Sequence, residues 1–129
     1  MKQVLVDTHA LLWFIFDDAH LSARATQVLE DRNVAKVISI VSLWEIVIKV
    51  QIKKLSLGMS PGELFSEYIT SREIELLGVE IPHLLEYERL PLHHRDPFDR
   101  LLISQAITER LPVVTGDENF SGYSVKLIW

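Results

Sequence analysis

Apolar residues along the chain fall into short β-branched runs that alternate with segments of helical spacing. Residues 2–6 form the first such run, and residues 8–16 are apolar almost all round, which predicts a buried strand followed by a buried helix. Ser22 is placed as the N-cap of a helix through about residue 31, with Ala25, Val28 and Leu29 on its inner face. Val37, Ile38, Ile40 and Val41 predict a second strand. Ser42-Leu43-Trp44-Glu45 then opens a helix that carries Ile46, Ile48, Val50 and Ile52 and ends near Lys54, before Gly58. Ser60-Pro61-Gly62-Glu63 supplies a capping hydroxyl, a proline at the first helical position and a glutamate at the third, so a helix is expected from there to about Ser71. Residues 74–79 predict a third strand and residues 82–90 a short helix. Asp96-Pro97-Phe98-Asp99 opens another helix, with Phe98, Leu101, Leu102 and Ala106 at helical spacing as far as Arg110. Val113-Val114 forms a strand that stops at Thr115-Gly116-Asp117, and residues 125–128 close the pattern. Strands alternating with helices, without repeat or linker, predict an α/β fold: a mainly parallel sheet covered on both faces.

Composition narrows this picture. A length of 129 residues is the scale of a single domain, expected over 1–129. An apolar fraction of 48% with 24% charged residues matches a globular chain. No apolar run approaches the ~18 residues of a membrane helix, and no leader pattern opens the chain, so the cytoplasm is the expected compartment. The absence of cysteine excludes disulfides, thiolate nucleophiles and cysteine-ligated metals. Thirteen Lys and Arg against eighteen Asp and Glu give a net charge of −5, which on its face argues against a nucleic-acid binder.

The position of the acids changes that argument. Ligands of open α/β sheets bind beyond the carboxyl ends of the strands. Asp7 directly follows the first strand, Glu45 lies in the first turn of the helix after the second, and Asp117 follows Val113-Val114. Asp96 and Asp99 open a helix whose preceding loop faces the same edge. Neighbouring carboxylates oppose one another's ionisation, and a hard divalent cation, Mg²⁺ or Mn²⁺, removes that cost. Each acid also has a structural reading. Ser42 and Glu45 fit a capping box, Asp96 an N-cap, Asp99 the favourable end of a helix dipole, and Asp117 ordinary turn chemistry. Asp7, between Val6 and an apolar helix, has no evident local partner.

At these residues the sequence resembles the PIN-domain ribonucleases, and within them the VapC-like toxins of bacterial and archaeal toxin–antitoxin pairs. The fragments that carry the resemblance are Val4-Leu5-Val6-Asp7-Thr8-His9-Ala10-Leu11-Leu12-Trp13 and Ser42-Leu43-Trp44-Glu45-Ile46 with Lys49. Further along come Leu90-Pro91-Leu92-His93-His94-Arg95-Asp96-Pro97-Phe98-Asp99-Arg100-Leu101-Leu102-Ile103 and Val114-Thr115-Gly116-Asp117-Glu118-Asn119-Phe120. The resemblance implies an α/β/α sandwich and endonucleolytic hydrolysis of RNA by a metal-activated water. Asp7, Glu45, Asp99 and Asp117 are the implied ligands and catalytic carboxylates. Asp96 is placed as an N-cap first and an outer helper second, and the Thr8 and Thr115 hydroxyls as supports beside Asp7 and Asp117. It also implies an antitoxin partner that covers the acidic pocket, and a homodimer.

The remaining polar residues have two readings each. Glu45, Lys49 and Lys53 are spaced four apart, which makes a helical ion pair or a phosphate rail leading from the site; a mixture is expected, with Lys49 near the site and Lys53 and Lys54 solvated. Arg95 and Arg100 flank the late acids as candidate phosphate contacts, with a carboxylate pairing as the alternative for Arg100. The five histidines form no spaced ligand set. His93 and His94 read as solvated or hydrogen-bonding, and His9 as packed near the site. Trp13, Phe14 and Phe16 read as core or subunit contact rather than as a base-stacking platform. Among other classes, a haloacid-dehalogenase-type phosphatase needs a second acid two residues after the first, where this chain has His9. A response-regulator receiver needs an acidic pair and a late lysine that are not in place, and a non-catalytic interaction domain is the remaining alternative. Setting the four candidate ligands aside leaves 14 acidic against 13 basic residues, so the acidity is concentrated in one pocket. RNA binding is then expected to depend on metal and on local Lys and Arg.

Overall fold

Five strands, β1 (Gln3–Val6), β2 (Ala35–Ser39), β3 (Ile74–Leu77), β4 (Val113–Val114) and β5 (Leu127–Ile128), form one sheet in the order β3-β2-β1-β4-β5. The computed structural model describes residues 2–70 and 73–129, and every strand pairing within them is parallel. Two-residue alternation decides which face each strand residue serves. Val4, Val6, Ile38, Val114 and Ile128 enter one apolar cluster, whereas Leu5, Val37 and Val113 enter the other. The first cluster is closed by α1 (Thr8–Ile15), α2 (Ala23–Glu30) and α4 (Pro61–Leu64) through Leu11, Leu29 and Leu64. The second is closed by α6 (Pro97–Glu109) through Leu102, Ile103 and Ala106, and α5 (Ile81–Arg89) packs on α6. Helix α3 (Ile40–Gln51) serves both, with Leu43 and Ile46 in the first cluster and Val41 in the second. The result is the expected α/β/α sandwich, and each fully buried Leu, Ile or Val contributes roughly 1.5–3 kcal/mol of hydrophobic stabilisation.

Strand β1 lies at the centre, with β2 on one side and β4 on the other, so the winding of the chain reverses between β1 and β4. Such a reversal opens a crevice above the carboxyl ends of the two strands. The backbone N–H of Asp7 donates to Val114 O at 3.1 Å, which fixes the first residue after β1 against the end of β4.

Several expected boundaries move. Ile40 and Val41 belong to α3 and not to the second strand, because Ser39, rather than Ser42, is the N-cap. Ser39 Oγ accepts from the Val41 N–H at 3.1 Å and donates to Gln105 Oε1 of α6 at 2.6 Å. That long-range partner overrides the strand preference of the β-branched run. The single helix expected from Pro61 is a four-residue α-turn followed by a π-helical turn, Phe65–Ile69; its expected end at Ser71 lies outside the described residues. Strand β3 stops at Leu77, before Gly78, whose carbonyl accepts from Gln105 Nε2. The last strand is limited to Leu127–Ile128. No helix among the described residues is long and apolar enough to cross a membrane.

Candidate metal centre

Asp7 is the N-cap of α1, a role missed in the sequence: its Oδ1 accepts from the Ala10 N–H at 2.7 Å. Its Oδ2 accepts from the Thr115 hydroxyl, and Thr115 Oγ1 in turn accepts from the Asp117 N–H at 3.1 Å. One threonine at the end of β4 therefore orients the Asp7 carboxylate and the turn that carries Asp117. Asp7 is only 4% exposed. Burial raises its pKa above the ordinary 3.8, against the hydrogen bonds from Thr115 and Ala10 and the nearby His9, while Asp117 adds to the rise.

Glu45 lies in the second turn of α3, because the helix is capped three residues earlier than expected, and it is 2% exposed. Ser42 is thus inside the helix and forms no capping box; its Oγ accepts from Thr8 Oγ1 at 2.9 Å. Thr8 therefore ties α1 to α3 and does not support Asp7 as expected. Lys49 Nζ pairs with Glu45 Oε2 at 2.6 Å, but Glu45 Oε1 is buried without a hydrogen-bond partner. A carboxylate oxygen buried in that state carries a large desolvation cost unless a cation completes it.

Asp99 stands in the first turn of α6, beside the N-cap Asp96, whose Oδ1 accepts from the Phe98 N–H at 2.8 Å and the Asp99 N–H at 3.4 Å. Burial pushes the pKa of Asp99 up to about 6; a hydrogen bond from His94 works against this, and the charges of Asp96 and Glu45 add to it. The His94 Nε2 to Asp99 Oδ2 distance is 2.8 Å. His94, Asp99 and Asp117 each place one possible ligand atom within 4.8 Å of the other two. Asp117 Oδ1 also accepts from the Asn119 N–H at 2.9 Å, so the turn reading and the site reading hold together.

The four carboxylates therefore come from four separate segments and interact through the crevice: Asp7 with Asp117, Asp99 with Glu45, and Asp99 with Asp117. The orphaned Glu45 oxygen, the raised pKa values and the hard oxygen donors fit one or more divalent cations, with Asp7, Glu45, Asp99 and Asp117 as ligands.

The family model for the PIN domain matches residues 4–126. The chain belongs to the PIN domain family. Three solved structures share the fold of this PIN domain. VapBC2 from Rickettsia felis bound to a DNA fragment from its promoter has 17% identity and a TM-score of 0.73, covering 97% of this chain and 96% of that one. FitAcB from Neisseria gonorrhoeae has 16% identity and a TM-score of 0.70, covering 96% and 95%. A toxin–antitoxin complex from Klebsiella pneumoniae has 16% identity and a TM-score of 0.65, covering 92% and 91%. Among curated protein sequences none matches at a significant level.

Within this PIN domain the expected phosphate contacts separate. Lys49 is bound to Glu45 at the site. Lys53 lies past the end of α3 in a left-handed conformation (φ 60°) and is exposed, as the solvated reading expects. Arg95 is exposed beside the site. Arg100 is 5% exposed, and among the described residues its hydrogen-bond partners are backbone carbonyls and the Tyr123 hydroxyl. Its guanidinium donates to Pro91 O at 2.9 Å and His94 O at 3.3 Å, reaches the Tyr87 and Leu90 carbonyls, and lies 4.8 Å over the Tyr87 ring. Arg100 thus holds the loop that delivers His94. From sequence His94 has a solvated or hydrogen-bonding role and no place in the site; its position five residues before Asp99 is the available signal.

A second group, Glu80, His83 and Glu109, is also compact. His83 is fully buried, its Nδ1 accepts from the Glu80 N–H at 3.0 Å, and its Nε2 lies 2.8 Å from Glu109 Oε2. Both ring nitrogens are engaged, so this group caps α5 and locks it to α6.

Proposed function

We propose that this PIN domain is a divalent-metal-dependent endoribonuclease that hydrolyses RNA phosphodiester bonds and serves as the toxin of a toxin–antitoxin pair. The observation that supports the reading is the pairwise proximity of Asp7 to Asp117, Asp99 to Glu45 and Asp99 to Asp117 near the β1–β4 reversal, with one buried Glu45 oxygen left unpartnered. These four carboxylates would hold Mg²⁺ or Mn²⁺, which would polarise the phosphate and lower the pKa of a water. The protein contributes the positions. Thr115 and the Ala10 N–H fix both oxygens of Asp7, and Lys49 holds Glu45 Oε2 while Oε1 is buried without a partner. His94 orients Asp99 Oδ2, and a bound cation would offset the burial and the neighbouring charges that raise the Asp99 pKa. Lys49 and Arg95 supply positive charge to the RNA backbone beside the site.

The VapBC2 and toxin–antitoxin neighbours support an antitoxin partner, and the family resemblance alone suggests a pairing of two copies. Ile81, Leu84 and Leu85 on α5, with Ile81 72% exposed, supply an apolar surface suited to such a subunit contact. The cytoplasm, where RNA and antitoxin would both be met, is the compartment this reading requires.

The test is cleavage of single-stranded RNA with and without Mg²⁺ or Mn²⁺, by the wild type and by Asp7→Asn and Asp99→Asn. The expected result is metal-dependent cleavage that falls by at least about 100-fold in each variant while the circular dichroism spectrum is retained. Equal cleavage by both variants, or cleavage indifferent to chelator, would overturn the reading. Binding of a partner protein without any RNA cleavage would establish the non-catalytic interaction domain in its place.

A further inference from the structure

Trp13, expected in the core or at a subunit contact, is half-buried and lines the same cavity as two of the site carboxylates. That cavity has a volume of about 260 Å³ and is bounded by Asp7, His9, Trp13, Gly116 and Asp117. Its scale is that of one flat ring system, below the ~300–1,000 Å³ of a drug-sized site. Trp13 already receives planar groups: the His20 ring stacks on it at 5.3 Å and 23°, and the His9 ring lies tilted at 5.8 Å. His9, expected to be packed, is exposed and separates this cavity from a second of about 260 Å³ lined by Thr8, Leu12, Ile46, Lys49, Lys54 and Leu55. One side of His9 thus offers aromatic surface beside the carboxylates, and the other offers two ammonium groups.

We propose that the Trp13 cavity is a nucleobase subsite, in which one unpaired base next to the scissile phosphate stacks on Trp13 while Lys49 and Lys54, across His9, take a neighbouring phosphate. This rests on the nuclease reading above. A phosphodiester held at Asp7 and Asp117 carries its flanking base into the space adjoining those carboxylates, and there the wall is a tryptophan. A base can enter only if it is unstacked and unpaired, which commits the substrate to a single-stranded loop or end. A stacking wall accepts any base face, so the subsite favours the larger purines without reading their edges.

The test uses a short single-stranded RNA that the wild-type protein cuts at one bond with Mn²⁺, remade with one abasic nucleotide at each flanking position in turn. Loss of the base at one position is expected to lower kcat/KM by about 10-fold or more, the scale of one base–aromatic stack. Trp13→Leu is expected to impose a similar loss on the parent RNA and no further loss on the abasic one, whereas Trp13→Phe stays within about 3-fold of wild type. A 2-aminopurine at the sensitive position reports the stack by its loss of fluorescence on binding to the wild-type protein, which needs no variant to fold. Cleavage indifferent to every abasic position, losses that multiply when the two changes are combined, or an unquenched 2-aminopurine would overturn the subsite. If the wild type fails to cut the parent RNA at all, the nuclease reading falls and takes the subsite with it.

Discussion

Replacing Asp99 by Asn is expected to stabilise the metal-free protein. The folded-state pKa of Asp99 is about 6 against an ordinary 3.8, so the folded form binds the proton more tightly than the unfolded chain does. A raised carboxylate pKa makes stability fall as pH rises between the two values, and the full penalty is present above about pH 7. About two pK units correspond to about 3 kcal/mol; partial exposure of the side chain reduces the expected effect to about 1–2 kcal/mol. For a chain of this size that is a rise in Tm of roughly 3–8 °C. The amide retains an acceptor for His94, so the 2.8 Å contact is kept. The assay is thermal unfolding of wild type and Asp99→Asn in EDTA at pH 8 and pH 5, and again at pH 8 with saturating Mn²⁺. At pH 8 in EDTA the variant is expected to melt above the wild type, and at pH 5, where wild-type Asp99 is already protonated, the gap should close. With Mn²⁺ the order should reverse, because a ligand present at about 100 times its Kd adds about 2.7 kcal/mol to the form that binds it. A variant that melts at or below the wild type in EDTA at pH 8, together with equal Mn²⁺ shifts in both proteins, would refute the argument from opposed carboxylates.

Three other predictions test the supports of the site. Arg100→Lys should cost about 2–3 kcal/mol in urea unfolding at unchanged m, because an ammonium cannot span the carbonyls of Tyr87, Leu90, Pro91 and His94 together. Gly116→Ala should cost about 1–3 kcal/mol in thermal melts, since an added Cβ would lie 2.5–2.9 Å from the Trp129 ring. The same substitution in a Trp129→Ala background should cost almost nothing, and a full cost there would exclude the clash as its cause. His83→Ala should destabilise by about 2–4 kcal/mol through loss of the Glu80 and Glu109 contacts while the Mn²⁺-induced shift in Tm stays at its wild-type value.

What could be read from the sequence was what local chemistry decides. Ser22 and Asp96 cap helices as expected because each N-cap bonds to amides two or three residues on. Glu45, Asp99 and Asp117 were reachable from strand and helix positions combined with the family resemblance. What escaped depends on distant partners. The start of α3 was misplaced because Ser39 is held by Gln105, sixty-six residues away. Thr8 stands beside Asp7 in sequence but bonds to Ser42, and Asp7, with no evident local partner in the sequence, is held by the Ala10 N–H and by Thr115. Arg100 looked like a phosphate contact because a cation beside acids is ambiguous until its burial is known, and His94 gained its place only when the loop held by Arg100 was folded.

The bond from Thr115 to Asp7 joins residues 108 positions apart in the chain. During synthesis β1 emerges first, and it waits beside an empty place until β4 has left the ribosome and can pair with it. No shorter nascent chain can bring Asp7 and Asp117 together, whatever else it has folded. On the nuclease reading proposed above, a chain still lacking β4 would therefore hold only part of the carboxylate set.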